Sequence, residues 1–206
     1  ICWSLVGSEM CIRDRNLSYM AHITIPTNSS PLYTYILPHI KRVDDYKPKE
    51  LDSKMKVFIN GSWQGISEEP TKLYEMLKEQ KYKGIINIYT SISINYKTLE
   101  LRVCNDGGRL TRPVLRVRDN KALITNEVIS KIVSNELCWN DLLTNCVLDE
   151  SVIEYIDPDE QNLSMIAMKC KEQYTKTLDC TFNYTHCEIH PSLSLIHISE
   201  PTRLQQ

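Results

Sequence analysis

A cluster of potential metal ligands lies near the C-terminal end of the sequence. Five side chains of the types that bind zinc or iron occur within residues 186–197: His186, Cys187, Glu188, His190 and His197. Residues 186 and 190 would share a face only in a helix, whereas Pro191 and its β-branched neighbours favour extended chain. We therefore predict no metal site in this stretch.

Four arginines, Arg109, Arg112, Arg116 and Arg118, fall within one short stretch. Side chains alternate along a strand, so Arg116 and Arg118 should project from the same face. Such a basic ribbon suits the phosphates of a nucleic acid. The other interpretation is a solvated strand face with a turn arginine that hydrogen-bonds loop carbonyls, and the lack of interleaved aromatic residues favours it. The four arginines are candidate nucleic-acid-binding residues, with both interpretations open.

A run of carboxylates follows further along the chain, at Glu154, Asp157, Asp159 and Glu160. Paired carboxylates can bind Mg²⁺ or act as acid and base. An acidic turn between two strands is a commoner explanation of the pattern. The sequence has no Gly-rich phosphate loop, GxSxG elbow or HExxH motif, so it offers no catalytic constellation of its own.

The elements that must position these residues mix helices and strands. Asn60-Gly61 between apolar runs predicts a β-hairpin with a type I′ turn. Helices are predicted over residues 67–82, with Leu73, Met76 and Leu77 on one face, and over 125–137, with Val128, Ile129, Ile132 and Val133 buried. Residues 26–54 resemble a loop, 86–94 and 113–118 resemble strands, and 152–168 resemble a second hairpin. The mixture lacks a regular βαβ alternation and predicts an α+β fold of two small mixed subdomains.

Composition excludes several classes of function. The formal net charge of −2 gives no whole-molecule attraction to nucleic acid or anionic membrane. No apolar run approaches the roughly 18 residues of a membrane span. The scattered cysteines form no CxxC pair, which favours reduced thiols and an intracellular location.

The two ends of the chain carry a pattern of a different origin. A DNA string that encodes residues 5–15, LVGSEMCIRDR, has a reverse complement that encodes residues 193–203, LSLIHISEPTR. Two unrelated peptides would almost never meet this condition, and the DNA resembles a transposase-type sequencing adapter. We therefore expect residues 1–15 and 193–206 to be adapter-derived and residues 16–192 to be the biological segment. His197 then drops out of the apparent ligand cluster.

Six short sequence motifs, taken together and in order, show a resemblance that no single motif would establish. The chain resembles the second-largest subunit of multisubunit DNA-directed RNA polymerases, of the eukaryotic, archaeal and large-DNA-virus type. The phrases occur in the order and at about the spacing of that family: NLSYMAHIT, KVFINGSWQGI, NDGGRLTRPVL, VIEYIDPDE, SMIAM and YTHCEIHPS. One departure is Asp106-Gly107-Gly108-Arg109, where the family usually has Asp-Ala-Gly-Arg.

The resemblance implies a division of the chain. Residues 16–55 would be the end of a fork-like region with a connecting loop, 56–118 a first external subdomain, 119–183 a second, and 184–192 the start of the hybrid-binding region. It also implies an internal, non-catalytic fragment of a nucleotidyltransferase. The Mg²⁺ ions of the whole polymerase would be held mainly by the largest subunit, and none by this fragment.

The implied partners are the other polymerase subunits, especially the largest, with DNA template and RNA bound by the complete complex and no membrane involved. The implied location is the nucleus or cytoplasm, or a viral factory or virion for a large DNA virus. The alternative from a different class is a freestanding module that binds single-stranded nucleic acid through the Arg109 to Arg118 ribbon.

Overall fold

The computed structural model describes residues 21–47, 51–167 and 183–189. The predicted adapter-derived ends, His190 and His197 lie outside these ranges. The strands are β1 His22–Ile23, β2 Met55–Ile59, β3 Ser62–Ser67, β4 Ser91–Asn95, β5 Glu100–Cys104, β6 Leu110–Arg118, β7 Lys121–Ala122, β8 Ile153–Ile156, β9 Ile166–Ala167 and β10 His186–Glu188. The helices are α1 Ser30–Ile36, α2 Pro70–Tyr82, α3 Asn126–Val133 and α4 Pro158–Gln161, with 3₁₀ turns at Leu37–His39, Val43–Asp45 and Trp139–Leu142.

The first sheet has four strands in the order β3-β2-β5-β4. Strands β2 and β3 form the predicted hairpin, and Asn60 and Gly61 have the positive φ angles, 48° and 79°, that a type I′ turn requires. Strands β4 and β5 form a second antiparallel pair, and β5 runs parallel to β2. The mixed sheet with its helices confirms the α+β class.

Helices α1 and α2 cover one face of this sheet. Alternate residues of the strands point toward the helices, so Val57, Leu101 and Val103 are fully buried with Leu77 of α2. Burial of each such side chain contributes on the order of 1.5–3 kcal/mol relative to exposure. This apolar core fixes α2 on the sheet and thereby fixes the direction of its other faces.

The second sheet is built around the long strand β6. Strand β8 pairs with residues 112–115 of β6, and β10 pairs with residues 114–116. The shared residues, Val114 and Leu115, show that β8 and β10 flank β6 on opposite sides. Short strands β1 and β7 pair with the two ends of β6, and β9 runs parallel to β10. Strand β6 therefore lies at the centre of the second sheet, although it falls at the end of the first predicted subdomain.

The predicted second hairpin is wrong. Strands β8 and β9 do not pair with each other; β8 pairs with β6 and β9 pairs with β10. Helix α4 occupies the place of the predicted turn, because Asp157 caps its first turn and Pro158 presets its first residue. The cap directs Glu160 toward the interior, whereas Asp159 of the same helix is exposed to solvent.

Other predicted elements have different bounds. Residues 26–54, predicted to be mostly loop, contain the short helix α1, which buries Leu32 and Ile36 in the first core. Helix α2 begins at Pro70 and Ser67 ends strand β3. The predicted strand over 86–94 starts only at Ser91, because the amide of Thr90 bonds the carbonyl of Asn87 in a turn.

Helix α3 is shorter than predicted, since it spans Asn126–Val133 and not residues 125–137. Thr125 caps it, accepting a hydrogen bond from the Val128 amide at 3.2 Å. The predicted buried stripe is wrong in part: no residue of α3 is fully buried, and Val133 is 77% exposed. Val128 and Ile132 pack against the second core, around Leu142 and Ile153. None of the helices in the described ranges is both long and apolar enough to cross a membrane.

Candidate functional site

A buried charge cluster of two lysines and two glutamates lies where α2 meets the second sheet. The Lys78 ammonium is 2.6 Å from a carboxylate oxygen of Glu154 and 2.6 Å from one of Glu160. The Lys81 ammonium is 3.2 Å and 3.4 Å from the same two oxygens. None of the four side chains is more than 10% exposed. Two positive and two negative charges thus neutralise one another out of contact with water.

The helix positions the two lysines through its periodicity. Leu73 and Leu77 pack in the first core, and Lys81 follows Leu77 by four residues, so it lies on the same stripe. Lys78 lies beside it on the adjoining face. The aliphatic stems continue the apolar packing of the leucines while the ammonium groups extend beyond it.

The glutamates come from elements of the second sheet. Glu154 is the second residue of β8 and Glu160 is in α4. The Asp157 side chain accepts a hydrogen bond from the Glu160 amide at 2.9 Å. The cap therefore fixes the turn that directs Glu160 inward, toward the α2 lysines.

Further contacts extend the cluster to neighbouring strands. One Glu160 oxygen accepts a hydrogen bond from the Ile92 amide of β4 at 3.0 Å, and Lys81 donates to the Tyr155 carbonyl at 3.0 Å. The second oxygen of Glu154 accepts from the Tyr82 hydroxyl at 3.0 Å and lies 3.2 Å from Nε2 of His186. The cluster joins α2 and β4 of the first half of the structure to β8, α4 and β10 of the second.

The electrostatics favour the ionised forms of Lys78 and Glu154. Burial by itself lowers the pKa of Lys78, but attraction to Glu154 and Glu160 outweighs it and holds that pKa well above the ordinary value. Burial by itself raises the pKa of Glu154, but Lys78, Lys81 and His186 hold it well below the ordinary value. Burial also raises the pKa of the Tyr82 hydroxyl, which stays a neutral donor. Removing one member of such a pair leaves a buried, uncompensated charge and costs about 3–5 kcal/mol.

Arg109, first of the four candidate arginines, is held inside the structure. Its guanidinium lies 3.3 Å from Asp157 and 3.0 Å from Asp106, and it donates to the Tyr89 carbonyl at 3.0 Å. Its side chain is 17% exposed. Arg109 thus ties the loop before β6 to the cap of α4, and it is the predicted turn arginine that bonds a loop carbonyl.

Arg112 reaches across the second sheet. It lies 3.2 Å from the carboxylate of Glu188 and donates to the Gln161 side chain at 3.2 Å. Its Nε is buried without a hydrogen-bond partner among the described residues. This arginine connects β6 to β10 and α4.

Arg116 and Arg118 contact two adjacent residues before β8, Ser151 and Glu150 respectively. Arg116 donates to the carbonyl and hydroxyl oxygens of Ser151 at 2.9 Å and 2.6 Å, and its guanidinium stacks 3.7 Å above the Tyr82 ring. Arg118 pairs with Glu150 and is 57% exposed. Arg118 is the most exposed of the four arginines, and nucleic-acid binding by them stays a prediction.

The described potential metal ligands near the C-terminal end each contact different partners. His186 contacts Glu154, Glu188 contacts Arg112, and Cys187 is buried between β6 and β9. Across the part of the chain that the structure describes, no three His, Cys, Asp or Glu side chains are grouped to hold a metal ion.

The two lysines of the cluster, Lys78 and Lys81, were not predicted from the sequence as site residues. Glu154, Asp157 and Glu160 were expected in a solvated turn or at a Mg²⁺ site, but they are buried, and Glu154 and Glu160 are neutralised by lysine. One signal was available: Lys81 lies eight residues after Leu73 and four after Leu77, on the stripe that should face the core. A lysine at such a position calls for a buried carboxylate partner.

Two family models match consecutive parts of the chain. Residues 57–118 match the model described as RNA polymerase Rpb2, domain 4, and residues 139–191 match RNA polymerase Rpb2, domain 5. Together the two models cover more than half of the sequence. The domain 4 match covers most of the first sheet and β6, and the domain 5 match covers the region that contains Glu154 and Glu160.

Named relatives come from cellular and viral sources. The chain is 36% identical, over 91% of its length, to DNA-directed RNA polymerase II subunit RPB2 of Encephalitozoon cuniculi. It is 30% identical over 90% of its length to DNA-directed RNA polymerase subunit 2 of Acanthamoeba polyphaga mimivirus. It is also 30% identical over 91% of its length to DNA-directed RNA polymerase II subunit 2 of Arabidopsis thaliana. The chain spans only 16%, 17% and 16% of these three relatives.

Proposed function

Because the chain belongs to the family of second-largest subunits of DNA-directed RNA polymerase, we propose that it is a scaffolding region of a transcribing enzyme. The observation that carries the proposal is the ordered match of two consecutive family domains over most of the chain. The buried charge cluster gives this region its mechanical role, since it joins the first and second sheets through five elements.

The region works in this proposal without reaction chemistry of its own. Its most concentrated carboxylates, Glu154 and Glu160, are neutralised by Lys78 and Lys81 and have no free charge to offer a metal ion. The whole polymerase carries out template-directed nucleotidyl transfer with Mg²⁺ held by other parts, mainly the largest subunit. The DNA template and RNA bind the complete complex.

The proposed partners are the other polymerase subunits, the largest among them. The proposed location is wherever that polymerase transcribes: the nucleus or cytoplasm, or a viral factory or virion for a large-DNA-virus enzyme. We further propose the division into a fork-like end over 16–55, external subdomains over 56–118 and 119–183, and the beginning of a hybrid-binding region over 184–192. Strand β6 then belongs by sequence to the first subdomain and by pairing to the second, which supports a firm junction between them.

The rival function is a freestanding module that grips single-stranded nucleic acid with Arg109 to Arg118. Three of the four arginines have side chains held by internal partners: Arg109, Arg112 and Arg116. A phosphate would have to displace these contacts. The described geometry therefore favours an internal, structural use of the arginines.

A chimeric subunit tests the proposal. Residues 21–189 replace the matched region of the Encephalitozoon cuniculi subunit, which is then assembled with its other polymerase subunits. We expect assembly and template-directed RNA synthesis, and the same chimera carrying Lys78→Met should assemble poorly. The 206-residue chain alone, given Mg²⁺, nucleoside triphosphates and primed template, should synthesise no RNA.

Two results would count against the proposal. Synthesis by the isolated chain would show that it contains catalytic machinery. A well-folded chimera that fails to assemble, together with tight oligonucleotide binding that is lost in Arg116→Ala and Arg118→Ala, would favour the rival module.

A further inference from the structure

The outer face of the first sheet, opposite α1 and α2, carries aromatic and cationic side chains: Trp63 and Arg102 are exposed, and Lys56 and Phe58 are partly exposed. Inward-pointing residues of β2 and β5 fill the first core, so the alternate residues Lys56, Phe58 and Arg102 point outward. Trp63 of β3 is 40% exposed beside them. Aromatic and cationic side chains that reach solvent on a firmly backed sheet form a prearranged binding surface.

The strand register places these residues in one row. Trp63 pairs with Phe58, Phe58 pairs with Arg102, and Arg102 pairs with Ser93. The row crosses all four strands from β3 to β4. We propose that this outer face, defined by Lys56, Phe58, Trp63 and Arg102, binds single-stranded nucleic acid.

The aromatic pair supplies a stacking platform. The Trp63 and Phe58 rings are stacked with centroids 6.4 Å apart and planes inclined by 25°. The Trp63 indole N–H donates to the Gly65 carbonyl at 2.9 Å, which fixes the orientation of the ring. Bases stack on such rings regardless of sequence, because every base has a π face.

Cations flank the platform. The Lys56 ammonium lies 5.9 Å from the centroid of the Trp63 ring. Arg102 pairs with Glu100 at 2.6 Å, but its side chain is 49% exposed, so water screens the pair and a phosphate can compete for the guanidinium. A single-stranded nucleic acid with a base stacked on Trp63 would thus have its phosphates close to Lys56 and Arg102.

A groove continues the row toward α4. It has a volume of about 470 Å³ and includes Ser93, Lys97 and Arg102 among its lining residues. Exposed Tyr96 adds a third aromatic ring, and Leu163 also lines the groove. Arg102 belongs to both the row and the groove, so an extended ligand can pass from one to the other.

The charge pattern favours a weak, sequence-tolerant contact. Three cations, Lys56, Lys97 and Arg102, belong to the row and the groove. Glu100 pairs with Arg102, and Asp159 lines the groove with Arg102 and Lys97, so these carboxylates limit the positive potential. We expect dissociation constants of about 10⁻⁵–10⁻⁴ M at physiological salt, with a salt slope of about −2 for three phosphate contacts. The surface is separate from the arginines of β6, and the inference does not depend on the proposed scaffolding role.

Fluorescence anisotropy with a fluorescein-labelled twelve-nucleotide oligo(dT) tests the inference on the full 206-residue chain. Trp63→Ala should weaken binding at least fivefold with little change in salt slope, whereas Trp63→Phe should retain most of the affinity. Lys97→Gln should reduce the slope by about 0.7. Lys131→Gln, which removes an exposed lysine from α3, is the matched control and should bind as the wild type does. Circular dichroism checks that each variant is folded.

Three outcomes would overturn the inference. If folded Trp63→Ala and Lys97→Gln both bind the oligonucleotide as wild type does, this surface is not the binding site. Loss of binding in Arg118→Ala alone would move the contact to β6. Binding of a poly-glutamate peptide in place of the oligonucleotide would make the face a docking site for an acidic protein segment. None of these outcomes changes the result expected of the chimeric subunit.

Discussion

Lys78→Met is the sharpest perturbation of the buried charge cluster. Methionine keeps most of the volume of the lysine stem but removes the ammonium, and with it two contacts of 2.6 Å. Glu154 and Glu160 would then share Lys81 as their one remaining lysine, with His186 still beside Glu154, so the cluster would hold two carboxylates and one ammonium. The expected loss is about 3–5 kcal/mol of unfolding free energy.

The loss is large beside the total stability of a domain, about 5–15 kcal/mol. For a chain of this size, each kcal/mol shifts the melting temperature by roughly 2–4 °C. We therefore expect Lys78→Met to melt about 10 °C below wild type, as measured by circular dichroism, with a matching decrease in the urea midpoint. Lys72→Met on the same helix is the control, because Lys72 is 74% exposed in its pair with Glu69 and should contribute less than about 1 kcal/mol.

A double variant separates electrostatics from packing. Glu160→Gln keeps an oxygen that can accept the Ile92 amide but removes the negative charge, so Lys78→Met with Glu160→Gln restores neutrality. The double variant should be more stable than the sum of the two single losses predicts, with a coupling of about 1–3 kcal/mol. If Lys78→Met costs no more than Lys72→Met, or if the two losses are additive, the cluster does not join the two sheets as argued.

Three further predictions concern neighbouring features. The folded pKa of Glu154 lies well below its ordinary value of 4.5, so its contribution to stability should be complete above about pH 4.5 and disappear as the pH falls through the folded pKa. Glu154→Gln should therefore reduce the loss of stability at acid pH in urea titrations, and an unchanged acid dependence would contradict the assignment. Gly107→Ala should destabilise by about 1–3 kcal/mol because its new Cβ would lie 2.5 Å from Cδ of Pro26, and Pro26→Ala should recover part of that loss in thermal melts. Arg116→Lys should lower stability by about 1–2 kcal/mol through loss of the ring stacking and of the paired bonds to Ser151, and a neutral result in chemical unfolding would show that these contacts contribute little.

Local chemistry made some of the fold predictable. The type I′ turn at Asn60-Gly61 depends only on two residues that tolerate positive φ, and the structure confirms it. The start of α3 was predicted to within one residue, and the Thr125 cap that fixes it involves a side chain and an amide three residues away. Signals that are complete within one turn do not depend on the rest of the chain.

Pairing between distant strands was not predictable in the same way. The segment around β8 and β9 has the pattern of a hairpin, but both strands find other partners: β8 pairs with β6 and β9 with β10. The alternation of apolar residues defines a face of a strand but not its neighbour. Residues 86–90 show a different limit, because a local turn at Asn87 interrupts an isoleucine-rich pattern that predicts a strand.

The sequence by itself determined the family, through an ordered series of phrases, and the α+β class, through periodicity and turn residues. Tertiary structure alone decided what the charged residues do. Lys78 meets Glu154 and Glu160 at separations of 76 and 82 residues. Whether a carboxylate faces solvent, a metal ion or a lysine depends on which distant element packs against it. That packing follows from the burial of apolar faces throughout the fold, which no local pattern specifies.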